Sequence, residues 1–166
     1  KENDIVYKAC KLLLDKTPIG VDIEIIKKIP IGAGLGGGSS DAATTLMALN
    51  KICHLGLSKH KLMQIGIKLG ADVPFFIFGE NAWVEGIGDQ LFPISIPEFH
   101  YVVAVPDIAI STGSIFTSFK LTKNVNPLKI ASSFDLKKHE FIDNDLEDIV
   151  IKKFLSVSLL MDWMKR

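Results

Sequence analysis

The sequence is poor in the features that tie a chain to a membrane, a metal or a polyanion. It has two cysteines, Cys10 and Cys53, with neither C-x-x-C nor cysteine–histidine spacing. That excludes a disulfide framework and a zinc site, and suits buried thiols in a reducing cytoplasm. No apolar run approaches the roughly 18 residues of a membrane span, and Lys1-Glu2-Asn3-Asp4 is no signal-peptide opening. Excess charge is also missing: 19 basic and 19 acidic residues cancel, and the basic blocks are pairs such as Lys27-Lys28 and Lys152-Lys153. Neither duplex nucleic acid nor an anionic membrane finds an electrostatic footprint there. The expected partner is a small molecule, and the chain reads as soluble and cytoplasmic. With 166 residues, 48% of them apolar, it can bury a core for one or two domains.

The apolar periodicity divides the chain. Ile5, Val6, Ala9, Cys10, Leu12 and Leu13 predict an amphipathic helix behind Asn3, stopped by Pro18-Ile19-Gly20. Val21-Asp22-Ile23-Glu24-Ile25 alternates as a half-buried strand does. A glycine-rich loop follows, then a helix carrying Leu46, Leu49 and Cys53, for which Ser39, Ser40 and Asp41 offer capping groups. Ser58 opens a further helix, with Leu62, Ile65 and Leu69 inward and Gly70 at its end. Phe75-Phe76-Ile77-Phe78 reads as a strand, and Ala82-Trp83-Val84 pairs with Gln90-Leu91-Phe92-Pro93 around Gly86-Ile87-Gly88. Tyr101–Val105 reads as a short buried strand. One long helix is expected at the end, because Leu146, Val150, Phe154, Val157, Met161 and Met164 step by threes and fours. Trp83 and Trp163 read as packing residues.

The loop Pro30-Ile31-Gly32-Ala33-Gly34-Leu35-Gly36-Gly37-Gly38-Ser39-Ser40 holds five glycines in seven positions. Each ordered glycine costs roughly 0.5–1 kcal/mol relative to alanine. A plain strand-to-helix connection has no use for five. Such a loop gains amides that approach an anion without Cβ interference, and the next helix adds its positive end. Ser39 and Ser40 add hydroxyls for a phosphate oxygen or a metal-bound water. A Walker A loop is excluded, since Gly37 is followed by Gly38 rather than lysine. Gly32, Gly34 and Gly37 satisfy G-x-G-x-x-G. A dinucleotide site also needs an acid about 20 residues on, and Ala42 through Ala71 contains none. The H-R-D and D-F-G signatures of protein kinases are missing as well.

The loop from Pro30 to Ala43, with the later Gly70-Ala71-Asp72-Val73-Pro74-Phe75-Phe76, resembles the GHMP kinase superfamily of small-molecule kinases. Asn144-Asp145-Leu146-Glu147, and Val105-Pro106 leading to Thr112 and Phe116, carry the same resemblance over the rest of the chain. It implies an α+β fold of two parts. A ribosomal protein S5 domain 2-like ATP-binding domain would occupy residues 1–97, and the start of a ferredoxin-like α/β sandwich bearing the substrate wall residues 98–166.

The resemblance implies ATP-dependent phosphorylation of a hydroxyl, with Mg²⁺ on the phosphates. Within the superfamily it points to the 2-hydroxyl of a cytidyl diphosphate methylerythritol, used in non-mevalonate isoprenoid synthesis. Pro30 through Ser40 then cradle the ATP phosphates with Lys27 near the adenine end, Asp72 is the catalytic base, Thr112 lies at the substrate and Phe116 stacks on cytosine. On pattern alone Asp72 also suits a helix N-cap, and Phe116 a core position. Metal ligands and oligomeric state stay unassigned. The superfamily's opening strand with its catalytic lysine, and its closing glycine motif, are not in these 166 residues, so the chain is expected to be the middle of an enzyme and inactive by itself. Another small-molecule GHMP kinase, acting on mevalonate, homoserine or a sugar, and a nucleotide-binding module without turnover stay open beside this reading.

Overall fold

The computed structural model describes residues 2–117 and 144–166, with the side chains of Thr112 and Phe116 outside that set. Two compact units are present: residues 1–28 with 36–96, and residues 29–35 with 97–166.

The first unit is built on four helices. Helix α1 (Ile5–Leu14) begins at Asp4, whose carboxylate accepts from Val6 N at 2.8 Å, so the cap is one residue later than the sequence suggests. Helix α2 (Gly37–Ile52) packs on α1 through small side chains. Ala9, Ala42 and Ala43 are all buried, which lets the two backbones come close. Helix α3 (Lys59–Gly66) is capped by Ser58, as expected, but ends before Gly70, which does not take a left-handed conformation. Helix α4 (Val73–Phe78) replaces the strand expected there. A four-residue apolar run fits a buried helix as well as a strand. Pro74 in the first turn and left-handed Gly79 at the C-cap favour the helix. Leu46, Leu62, Val73 and Ile77 join the alanines in one core, and a Cβ at Gly66 would lie 2.8 Å from Val73 Cγ1. That missing side chain lets α4 settle against α3.

The hairpin is as read from the sequence. Strand β1 (Ala82–Glu85) pairs antiparallel with β2 (Gln90–Pro93) in the register Trp83↔Phe92 and Val84↔Leu91. Its turn takes in Asp89, whose carboxylate accepts from Ile87 N at 3.1 Å. Neither Val21–Ile25 nor Tyr101–Val105 forms a strand, and Ile23, Tyr101 and Val102 are exposed. A strand needs a ladder partner, and among the described residues β1 and β2 are the sole pair.

In the second unit, helix α5 (Thr112–Phe116) is short, and the long terminal helix is two helices, α6 (Glu147–Lys153) and α7 (Leu155–Met164). Phe154 breaks it with an extended backbone, φ −127° and ψ 95°. Trp163 is 69% exposed and packs on little. Both cysteines are half-buried rather than buried, and burial pushes the Cys10 thiol above its ordinary range.

Candidate functional site

The glycine loop divides between the two units. Its first half, Ile29–Leu35, belongs to the second, where Gly32 sits at φ +76°. A Cβ there would come within 3.1 Å of Ala109 Cβ, and Ile110 N donates to Gly32 O at a long 3.4 Å. Pro30, Ile31, Ala33, Gly34 and Leu35 belong to the same unit, and Gly32 lies against Ala109 and Ile110 in the segment leading to Thr112 and Phe116. Those two occupy the ends of α5, and the positions of their side chains lie outside the described residues.

The second half lies in the first unit and starts α2. Gly36 is the N-cap, left-handed at φ +68°, and makes no side-chain cap. The first intrahelical bond runs from Ser40 N to Gly36 O at 2.9 Å. Gly37, Gly38 and Ser39 thus stand in the first turn, and the serines are helical residues rather than caps. An uncapped helix start leaves its first amides free for an acceptor, with the positive end of the helix behind them. That donor set fits a phosphate.

Lys27 pairs with Asp41 in the opening turns of α2, both side chains about one-third exposed. Asp41, read from the sequence as capping chemistry, is instead the counter-charge that holds Lys27 beside this turn.

Asp72 is exposed and occupies the N-cap position of α4, yet makes no capping bond. Its αR backbone, φ −86° and ψ −13°, is not the extended geometry from which a cap side chain reaches back. The plain structural role for this carboxylate is absent. Val73 and Pro74, both buried, anchor the residues that follow it. A Cβ at Gly70 would lie 3.9 Å from Ser39 Oγ, so the segment leading to Asp72 runs beside the first turn of α2.

Two contacts escaped the sequence reading. Phe76 of α4 fills the space a side chain at Gly36 would take, with Cζ only 2.8 Å from that Cβ position, which ties the Asp72 helix to the anion-binding turn. Gly88 in the hairpin turn sits against Ala71. The signal for Gly88 was its second glycine in a four-residue turn, where one is enough. Phe76 gave no signal beyond being apolar.

Residues 4–80 match the GHMP kinases N terminal domain. The chain carries a GHMP kinase N-terminal domain. Both the α2 turn and Asp72 lie inside it. It is similar to the 4-diphosphocytidyl-2-C-methyl-D-erythritol kinase of Janthinobacterium sp. (strain Marseille), 46% identical over 98% of this chain and 58% of that protein. The kinase of the same name from Herminiimonas arsenicoxydans is 44% identical over 99% of this chain and 59% of its own length. A solved structure titled 4-(cytidine 5'-diphospho)-2C-methyl-D-erythritol kinase superposes with a TM-score of 0.70 at 29% identity, covering 99% of this chain and 62% of that one. The α+β GHMP kinase fold therefore extends beyond the matched domain. The chain spans somewhat over half the length of the curated relatives it matches. Among the described residues, no helix is long and apolar enough to cross a membrane.

Proposed function

We propose that the full-length protein transfers a phosphoryl group from ATP to the 2-hydroxyl of 4-diphosphocytidyl-2-C-methyl-D-erythritol, a step of non-mevalonate isoprenoid synthesis in a bacterial cytoplasm. Residues 1–97 then form the ATP-binding domain and residues 98–166 the beginning of the substrate domain. One observation carries the reading: an uncapped, glycine-built helix start and an uncommitted carboxylate, Asp72, flank one another in a single packed unit.

Phosphoryl transfer asks the protein for positioning and for stabilisation of charge rather than for covalent chemistry. The amides of Gly37, Gly38 and Ser39 bind phosphate oxygens, and Pro30 through Gly36 bend the chain so that no side chain obstructs them. Lys27 adds a positive charge held in place by Asp41. Asp72 accepts a hydrogen bond from the substrate hydroxyl, orients it and takes its proton as the new P–O bond forms. Thr112 and Phe116 contact the cytidyl substrate, Phe116 by stacking on the base. Mg²⁺, when bound, neutralises charge on the ATP phosphates. Among the described residues no three His, Cys, Asp or Glu side chains converge on a metal cage. Mg²⁺ takes hard oxygen donors and keeps phosphates and waters in its shell, so the hydroxyls of Ser39 and Ser40 would serve it as additional oxygen donors beside the ATP phosphates, directly or through a bound water.

The test is Asp72→Asn in the full-length enzyme, assayed by coupled ADP release. Turnover should fall about 10²- to 10⁴-fold, with ATP KM and Tm unchanged. A variant keeping more than about a tenth of wild-type kcat sinks the assignment under the same estimate. No turnover by the wild-type enzyme on a panel of alcohols would favour a binding module.

A further inference from the structure

The hairpin turn has no part in the chemistry above, yet it touches the backbone on which that chemistry depends. Gly88 stands at φ +104°, a conformation L side chains rarely adopt. A Cβ there would run into the Ala71 carbonyl oxygen and lie 2.9 Å from the carbonyl carbon. That carbonyl belongs to the peptide joining Ala71 to Asp72. The turn therefore rests on one of the two peptide planes that share the Asp72 Cα.

The turn is firm enough to act as a stop. Gly88 N donates to Glu85 O at 3.2 Å, Ile87 N donates to Asp89 Oδ1 at 3.1 Å, and the β1–β2 ladder closes beneath them. On its other side Asp72 is followed by buried Val73 and Pro74, fixed in the core by Gly66 and Ile77. Asp72 has no capping bond to set its position. Its placement comes from its two neighbours, the buried start of α4 after it and the turn against the peptide before it.

We propose that the Gly86–Asp89 turn is a positioning element for Asp72, with Gly88 as the residue of contact. This rests on the reading of Asp72 as the base. Any side chain at position 88 pushes the Ala71–Asp72 peptide away and carries the carboxylate off the line of the substrate hydroxyl.

The experiment is a double-mutant cycle in the full-length enzyme with wild type, Asp72→Asn, Gly88→Ala and the double variant. Gly88→Ala should lower kcat about 10- to 10²-fold, the cost of a misplacement near 1 Å, with ATP KM within about twofold. In the Asp72→Asn background the same change should cost nothing further, because there is no carboxylate left to misplace. A purely structural role multiplies the two losses instead, and that result overturns the proposal, as does unchanged kcat in Gly88→Ala. Full activity of Asp72→Asn itself overturns the base assignment first, and this inference with it. Should Gly88→Ala not fold, Asp89→Ala loosens the turn by removing the acceptor of Ile87 N. It should show a smaller kcat loss of the same non-additive kind, restored by Asp89→Asn, which keeps an oxygen acceptor. Unchanged kcat in Asp89→Ala overturns the proposal.

Discussion

Gly36→Ala probes backbone handedness, packing and phosphate binding at once. At φ +68° an L residue costs about 1–2 kcal/mol. The new Cβ would also lie 2.8 and 2.9 Å from Cζ and Cε2 of Phe76. That ring is half-buried and set edge-on to Phe75 at 5.6 Å, so it yields only by disturbing its neighbour. Overpacking of this sort costs about 1–3 kcal/mol, and the whole effect should reach about 2–5 kcal/mol. Gly34→Ala is the comparison: its φ is +74°, but a Cβ there meets nothing within 4 Å. It should lose about 1–2 kcal/mol, the conformational part alone. Urea melts of the two full-length variants read this difference directly. In the ATP titration, moving the N-cap of α2 shifts the amides of Gly37, Gly38 and Ser39. Loss of one hydrogen bond to a charged phosphate, about 1.5–3 kcal/mol, raises ATP KM roughly 10- to 100-fold. Equal destabilisation by both variants refutes the packing argument. An unchanged ATP KM in Gly36→Ala refutes phosphate binding by the turn.

Two further outcomes follow from the site. Lys27→Met breaks an exposed ion pair worth about 0–1 kcal/mol, so Tm should barely move while ATP KM rises roughly tenfold; a normal ATP KM leaves Lys27 as a surface ion pair only. Phe116→Ala should weaken the cytidyl substrate by about 1–3 kcal/mol, the range of base–aromatic stacking, with ATP KM unaffected. Lost stability with normal substrate KM would return Phe116 to the core.

Helices α1, α2 and α3 and the hairpin were legible because their signals are local: a 3.6-residue stripe and a glycine turn between alternating strands. Of the caps, Ser58 was correctly placed, while that of α1 is Asp4 rather than Asn3 and that of α2 is Gly36 rather than a serine. The run Phe75–Phe78 was misread because four apolar residues carry no period. Its helix is decided by Pro74 and Gly79 and by burial of Val73 and Ile77 on α2 and α3. Val21–Ile25 alternates as a strand does, but pairing is a property of two segments and cannot be seen in one. The stripe from Leu146 to Met164 crosses Phe154, where the backbone turns away, and none of its residues is buried, because periodicity records neither whether a helix is continuous nor what covers its apolar side. In the candidate site, the glycines and Asp72 stood out by composition. The contacts of Phe76 and Gly88 did not, since each depends on what lies opposite in space.

The glycines of the loop are not all kept for the same reason. Gly32, Gly34 and Gly36 answer to the sign of φ, which the fold itself demands. Gly38 does not: it is helical, its φ is not left-handed, and a Cβ there would rest 4.0 Å from Ile5 Cγ2 in ordinary contact. Alanine at that position would strengthen α2 by about 1 kcal/mol on helix propensity. A glycine here therefore costs helix stability while leaving the backbone of the first turn of α2 open, which is the trade expected where a bound group must reach the backbone itself.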